Sequence, residues 1–187
     1  FVSATPAPGD LVISELMPIP SASDGHYVEL HNVSGRILDV HGLWFGRWRQ
    51  VTPLTSAPDR EFTLSHPAGV LTVDPGGQIL LAKSADPAAS GCRPADATWP
   101  GAFSLAPDST LIVRHDTTDI TSLAFFTSTG WSFTEGVALG ADPLVLGTPS
   151  GLSRNGWCLQ TSAIPGCVAV PTTGEQGTPA APNDPCR

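Results

Sequence analysis

Lysine is nearly missing from this chain: Lys83 is the only one among 187 residues, and nine basic residues face seventeen acidic ones for a net charge of −8. A surface this poor in cations has little to offer a phosphate backbone, which argues against DNA, RNA and anionic membranes as partners. Long apolar runs are lacking as well. None approaches the roughly 20 residues of a membrane-spanning helix, so membrane insertion is not expected. Uninterrupted helical windows are scarce, because 19 Gly and 19 Pro are spread through the chain. No serine sits in a G-x-S-x-G elbow and no two cysteines form a C-x-x-C pair, which removes the commonest hydrolase, redox and zinc signatures. A chain of this length buries roughly 70% of its unfolded surface, enough for a core without a cofactor, and no cofactor is expected.

What is present begins with four cysteines, Cys92, Cys158, Cys167 and Cys186. An even number without metal-ligand spacing reads as two disulfides and an oxidising compartment. The first residue is Phe1 and no basic, apolar leader precedes the domain, as in a mature protein exported through a cleaved signal peptide, so an extracellular or cell-surface location is expected. Four cysteines allow three pairings. Cys158 with Cys167 closes the smallest loop and leaves Cys92 to hold the tail at Cys186.

Apolar segments are short, rich in Val, Ile, Leu and aromatics, and bounded by Gly, Pro, Asp or Asn. They predict strands near Leu11 to Met17, His26 to Val33, Ile37 to Trp48, Glu61 to Leu64, Gly77 to Lys83, Ser109 to His115, Ile120 to Phe126 and Gly151 to Gln160. The expected fold is all-β, a sandwich of about seven to nine strands with long loops and at most one short helix. Asp74-Pro75-Gly76-Gly77 and Ala106-Pro107-Asp108-Ser109 have the chemistry of turns that hand the chain into a strand. Residues 1–8 read as an extended arm, 9–160 as the sandwich, and 161–187 as a Pro/Gly-rich irregular tail held by cysteines and packed on the domain.

Gly9-Asp10-Leu11-Val12-Ile13-Ser14-Glu15-Leu16-Met17 followed by Tyr27-Val28-Glu29-Leu30-His31-Asn32 resembles the two leading strands of the lamin tail domain as it occurs in bacterial exported proteins. Leu38 to Trp44, Pro75-Gly76-Gly77, Phe103-Ser104-Leu105, Gly151-Leu152-Ser153-Arg154 and Trp157-Cys158 through Gly177-Thr178-Pro179 to Asn183 continue the likeness in order. The segments Arg47 to Arg60 and Thr134 to Pro149 depart from it. The resemblance implies an immunoglobulin-like sandwich and an interaction or structural module without a shared enzymatic activity.

Candidate chemistry is sparse. Glu15 and Glu29 lie on the first two expected strands; alternation puts Glu15 with Leu11, Ile13 and Met17, and Glu29 with Tyr27 and His31. Buried carboxylates need hydrogen-bond donors, and a structural role tying a loop to the sandwich is expected for both. His26 and His31 fall on opposite faces, and His41, His66 and His115 each stand near turn residues. Asp116 and Asp119 offer oxygens to calcium, with Asp24 and Asp39 as further donors if loops converge, but calcium takes six to eight ligands and turn formation explains the same residues. Trp44, Arg47, Trp48 and Arg49 are candidate contact residues, with the tryptophans on one strand face and the arginines on the other; the alternative is that both tryptophans pack inward and the arginines pair with acids such as Asp59 or Glu61. Phe1 and Val2 form an apolar tip on the Pro-stiffened arm, suited to pairing with a sheet edge of its own domain or of a neighbouring copy.

Three functions follow. The first is a non-catalytic secreted or cell-surface module that binds protein or glycan. The second is a structural subunit of an extracellular filament, built through the arm. The third is a secreted hydrolase of unfamiliar design, which converging carboxylates in a cleft would favour.

Overall fold

Period-two alternation of apolar residues divides this chain between two sheet faces and a common core. The computed structural model describes residues 2–186 apart from 23, 52–53, 55, 87–88, 90–94, 149–150, 152 and 165–174. Its strands are β1 (Leu11–Leu16), β2 (Tyr27–Asn32), β3 (Leu38–Asp39), β4 (Trp44–Trp48), β5 (Arg60–Thr63), β6 (Thr72–Val73), β7 (Gln78–Ala82), β8 (Ala97–Thr98), β9 (Ser109–His115), β10 (Thr118–Phe125), β11 (Leu139–Ala141) and β12 (Trp157–Leu159). A six-stranded sheet runs in the order β12-β11-β1-β2-β7-β8, a four-stranded sheet in the order β10-β9-β4-β5, and β3 pairs with β6. All pairs are antiparallel except β7 with β8.

The expected all-β sandwich is therefore what the chain forms. Leu11, Ile13, Leu30 and Ile79 of the larger sheet share one core with Phe45, Leu111, Val113 and Phe125 of the smaller. Twelve strands are described rather than seven to nine, and three of them, β3, β6 and β8, are only two residues long. Pairings that short leave no periodic trace in a sequence. The two turns work as expected: Gly76 has φ +72° and the Gly77 N–H donates to the Asp74 carbonyl at 2.9 Å, while Asp108 takes φ 55° ahead of β9.

Two strand expectations are corrected. The run Ile37 to Trp48 is not one strand, because the chain turns at Gly42 (φ +82°) and passes from the β3–β6 sheet into the four-stranded one. The run Gly151 to Gln160 keeps only β12, preceded by a 3-10 turn at Arg154–Gly156.

A third correction concerns alternation. The β1–β2 register shifts between Ile13 and Glu15. This bulge at Ser14 turns every later side chain of β1 to the opposite face. Leu11, Ile13 and Leu16 point into the main core, while Met17 joins Tyr27, Leu80, Ala82 and Ala138 in a second cluster on the sheet's outer face. Glu15 thus shares a face with Met17 but not with Leu11 and Ile13.

The cysteine pairing is corrected as well. Cys158 bonds to Cys186, with Cα atoms 5.5 Å apart. It does not bond to Cys167, and Cys186 is not left for Cys92; Cys92 and Cys167 lie outside the described residues. The tail supplies the physical reason. Asp184 accepts from the Thr161 and Ser162 N–H groups at 2.7 and 2.8 Å, which brings the end of the tail alongside β12. Routing by hydrogen bonds outweighs the shortest loop.

The arm pairs within its own domain. Ala4 N–H donates to the Ile37 carbonyl at 2.8 Å and the Ala4 carbonyl accepts from Asp39 N–H at 2.9 Å, a parallel bridge to β3. Val2 ahead of it is 96% exposed, and Phe1 lies outside the described residues.

Candidate functional site

Two faces carry the unusual side chains, one open and one covered. The open face is the outer side of the four-stranded sheet. In-register pairing sets Trp44 beside Arg114, Gly46 between Ile112 and Glu61, and Trp48 beside Thr110. Because Gly46 has no side chain, both indoles fold over it, and their rings meet edge to face with centroids 5.9 Å apart. The Arg114 guanidinium lies over both rings, 5.0 Å from the centre of Trp44 and 5.9 Å from that of Trp48. Its other edge pairs with Asp119 on β10. Trp44 Nε1 donates to Glu61 Oε2 at 3.0 Å and Trp48 Nε1 to the Ser56 carbonyl at 2.9 Å. A part-exposed indole is therefore fixed among planar polar groups of both signs.

The expected contact residues divide. Trp44 stays partly exposed, but Trp48 is only 4% exposed, beneath its neighbours. Arg47 is no surface anchor: it is 4% exposed on the core side, where it donates to the Ser104 carbonyl at 2.7 Å. Burial lowers its pKa, and the Arg49 charge nearby adds to the effect. Arg49 is exposed, and its backbone N–H donates to Asp59 Oδ2 at 2.5 Å. Sequence reading missed Arg114. The alternation of Thr110-Leu111-Ile112-Val113-Arg114 puts it on an outer face, but only the β4–β9 register brings it to Trp44.

The calcium candidates do not converge. Asp119 holds Arg114, and Asp116 occupies a left-handed turn position (φ 52°) with its carboxylate 3.3 Å from His115 Nδ1. Among the described residues no group of three or more His, Cys, Asp and Glu side chains could hold a metal ion. The histidines are not all isolated either, since His66 N–H donates to His41 Nδ1 at 3.0 Å.

The covered face is the outer side of the six-stranded sheet. Here Glu15 and Glu29 are direct cross-strand partners, and both are fully buried. Glu15 accepts from the Tyr27 hydroxyl, from Thr178 N–H at 3.0 Å and from Thr178 Oγ1 at 2.6 Å. Glu29 accepts from Ser14 Oγ at 2.6 Å, Gln78 Nε2 at 2.9 Å and Ala180 N–H at 2.7 Å. Asn183 Nδ2 donates to the carbonyls of Ser14 and Ala141 at 2.7 and 2.8 Å, and Gln160 Oε1 accepts from Asp184 N–H at 2.7 Å. Burial pushes the Glu29 carboxyl up to about 8 against the pull of Ser14, and the Glu15 charge raises it further. The two carboxylates do converge, as a hydrolase would need, but the tail fills the space above them. The donors to both carboxylates include Thr178 and Ala180 of the tail, which sequence reading did not connect with them.

No family model and no curated protein matches the chain.

Proposed function

We propose that this chain is a secreted, non-catalytic interaction module that holds a neutral glycan of a cell surface or matrix against the outer face of its four-stranded sheet. The observation that carries this reading is the Trp44 indole, immobilised over Gly46 and flanked by Arg114, Asp119 and Glu61. An aromatic surface ringed by planar hydrogen-bonding groups suits the alternating C–H and hydroxyl faces of a pyranose. The net charge of −8 disfavours sulfated or otherwise polyanionic glycans. A protein partner would call for roughly 800 Å² per side around an apolar centre, and Trp44 is a small centre for that.

The Cys158–Cys186 bridge supports an oxidising compartment, and the ordered resemblance to lamin tail domains supports a module over an enzyme. The pairing of Ala4 with β3 inside the same domain favours a module over a filament subunit built through the arm.

The test is a panel of immobilised neutral oligosaccharides probed with the wild-type chain and with Trp44→Ala. Retention by the wild type that falls at least tenfold in the variant, with unfolding midpoints within a few degrees of each other, is the expected result. Equal retention of both proteins, or none by the wild type, would sink the reading.

A further inference from the structure

The tail does not cover the outer face of the six-stranded sheet to its end. Where β2 runs out, a cavity of about 280 Å³ remains, walled by Val33, Pro143, Leu146 and Pro182, with His31 and Gln78 in its lining. Four stretches of chain meet here: the end of β2, the start of β7, the turn after β11, and the tail. The volume lies near the lower end of the roughly 300–1,000 Å³ typical of ligand pockets. It suits one small group and not a long chain.

The two polar members are cross-strand partners, His31 on β2 and Gln78 on β7. Side chains so placed stand side by side on one face, with Cβ atoms about 4.5–5.5 Å apart. His31 Nδ1 is sealed from solvent and has no hydrogen-bond partner among the described residues. Burial lowers the basicity of the ring, so the imidazole is neutral at pH 7. An orphaned acceptor costs less than an orphaned donor, which puts the one ring proton on Nε2. His31 therefore offers the cavity an N–H. Gln78 offers the opposite. Its Nε2 donates to Glu29 Oε1 at 2.9 Å and lies 3.4 Å from the Ala181 carbonyl oxygen. Both partners are acceptors, which fixes the NH2 side of the amide and leaves Oε1 to accept.

A donor and an acceptor side by side select among ligand groups. A carboxylate presents two acceptors and clashes with Gln78 Oε1, whereas a guanidinium presents two donors and clashes with the His31 N–H. A trans secondary amide sends its N–H and C=O in opposite directions and meets only one of the two. A primary carboxamide has an N–H and a C=O on the same edge and meets both. Folding gives no other reason for His31, because an apolar ring would fill the same space without stranding a nitrogen.

We infer that this cavity binds the primary carboxamide of a glutamine side chain, its oxygen accepting from His31 Nε2 and its N–H donating to Gln78 Oε1. The two methylenes of the ligand lie against Val33, Pro143, Leu146 and Pro182. The site is separate from the Trp44 platform, which stands on the outer face of the other sheet.

Backbone amide chemical shifts of the full chain, followed at pH 7 during titration with acetyl-glutamine methylamide, test the site. Saturable shifts centred on Val33, Gln78 and Leu146 are expected, and acetyl-glutamate methylamide, of the same shape but with two acceptors, should bind at least tenfold more weakly. Free L-glutamine is a further arm. Affinity equal to that of the blocked probe marks a small amide as the ligand, and affinity at least tenfold lower marks a residue of a partner protein; both uphold carboxamide binding. His31→Phe should lose at least tenfold in affinity while its unfolding midpoint stays level or rises, since the variant removes a stranded nitrogen. Trp44→Ala should leave the titration unchanged, so this site and the glycan platform fail or stand separately. No saturable shift at these residues, equal affinity for the glutamate probe, or full affinity in folded His31→Phe overturns the assignment. The comparison of the two blocked probes decides without any variant.

Discussion

The tip of the Trp44 indole occupies the space that a side chain on Gly46 would need: a Cβ there would lie 2.1 Å from Trp44 Cη2 and 2.8 Å from Trp48 Cη2. The open face is thus built on an absence. Gly46→Ala should push the ring away from the sheet and off Arg114, with a stability loss of about 1 kcal/mol, at the low end of overpacking because the ring can swing toward solvent. Near-ultraviolet circular dichroism should lose intensity from the tryptophan pair, and oligosaccharide retention should drop in parallel. An unchanged dichroism spectrum would contradict this account of the platform.

Thr178 links the tail to Glu15 by two donors, and only one of them belongs to the side chain. Thr178→Val keeps the backbone N–H and the volume but leaves the carboxylate short of a hydroxyl. The expected cost is about 1–3 kcal/mol in urea unfolding, the usual range for depriving a buried acceptor of its partner. Thr63→Val, at an exposed position of β5, is the control and should change stability by less than about 0.5 kcal/mol.

Stability should depend on pH in opposite senses at its two limits. The folded Glu29 carboxyl titrates at about 8, above its ordinary 4.5, so the folded chain binds the proton more tightly than the unfolded one. Its contribution is complete below about 4.5 and is lost as the pH rises toward 8, by an amount on the order of 3–5 kcal/mol. Asp184 behaves inversely. The Ser162 hydroxyl, helped by Thr161 and Ser162 N–H groups, draws its carboxyl down to about 2, so its contribution is present above the ordinary 3.8 and is lost as the pH falls toward 2. Denaturation midpoints should therefore peak in mildly acidic solution. Glu29→Gln should flatten the alkaline side, and Asp184→Asn should flatten the acid side. A maximum above pH 8 in the wild type would refute the assignment.

Removing the disulfide should cost about 3–4 kcal/mol on the loop-entropy model for a separation of 28 residues. Proteolysis without reduction should give a cross-linked peptide pair containing Cys158 and Cys186, and mass spectrometry identifies it. In Cys158→Ser together with Cys186→Ser, Thr178 and Ala180 should exchange faster at every pH, because the segment is then held by hydrogen bonds alone.

Much of this was legible in the sequence, and what was not has a common cause. Leu111-Ile112-Val113 and Gln78-Ile79-Leu80-Leu81 announce their strands through composition and bounding turns, and Pro75-Gly76 announces the entry to β7. Alternation also gave the face shared by Tyr27, Glu29 and His31. Glu15 was misplaced because a one-residue bulge has no signature in Ile13-Ser14-Glu15, yet it inverts every later side chain. Arg47 was misjudged because alternation tells which face a residue takes and not which face is core. The contacts of Arg114, Thr178 and Asn183 could not be seen: their partners lie at separations of 70, 163 and 169 residues, where local pattern carries no information.

The separation of 163 residues between Glu15 and Thr178 also bears on how the molecule comes into being. Within this domain β1 is synthesised before the other described strands, and β2 follows it after a connection of ten residues, Met17 to His26. Its other neighbour, β11, and the cover over its outer face are made more than 120 residues later. Until then Met17, Tyr27 and Leu80 stand on a half-finished sheet with an open edge, a surface prone to mispairing with other nascent chains. High contact order of this kind slows folding. The low charge of this sheet, which makes the finished interior dry, also leaves the unfinished one without gatekeepers, so overproduced chain should aggregate from a state that has β1, β2 and β7 in place and still lacks its cover.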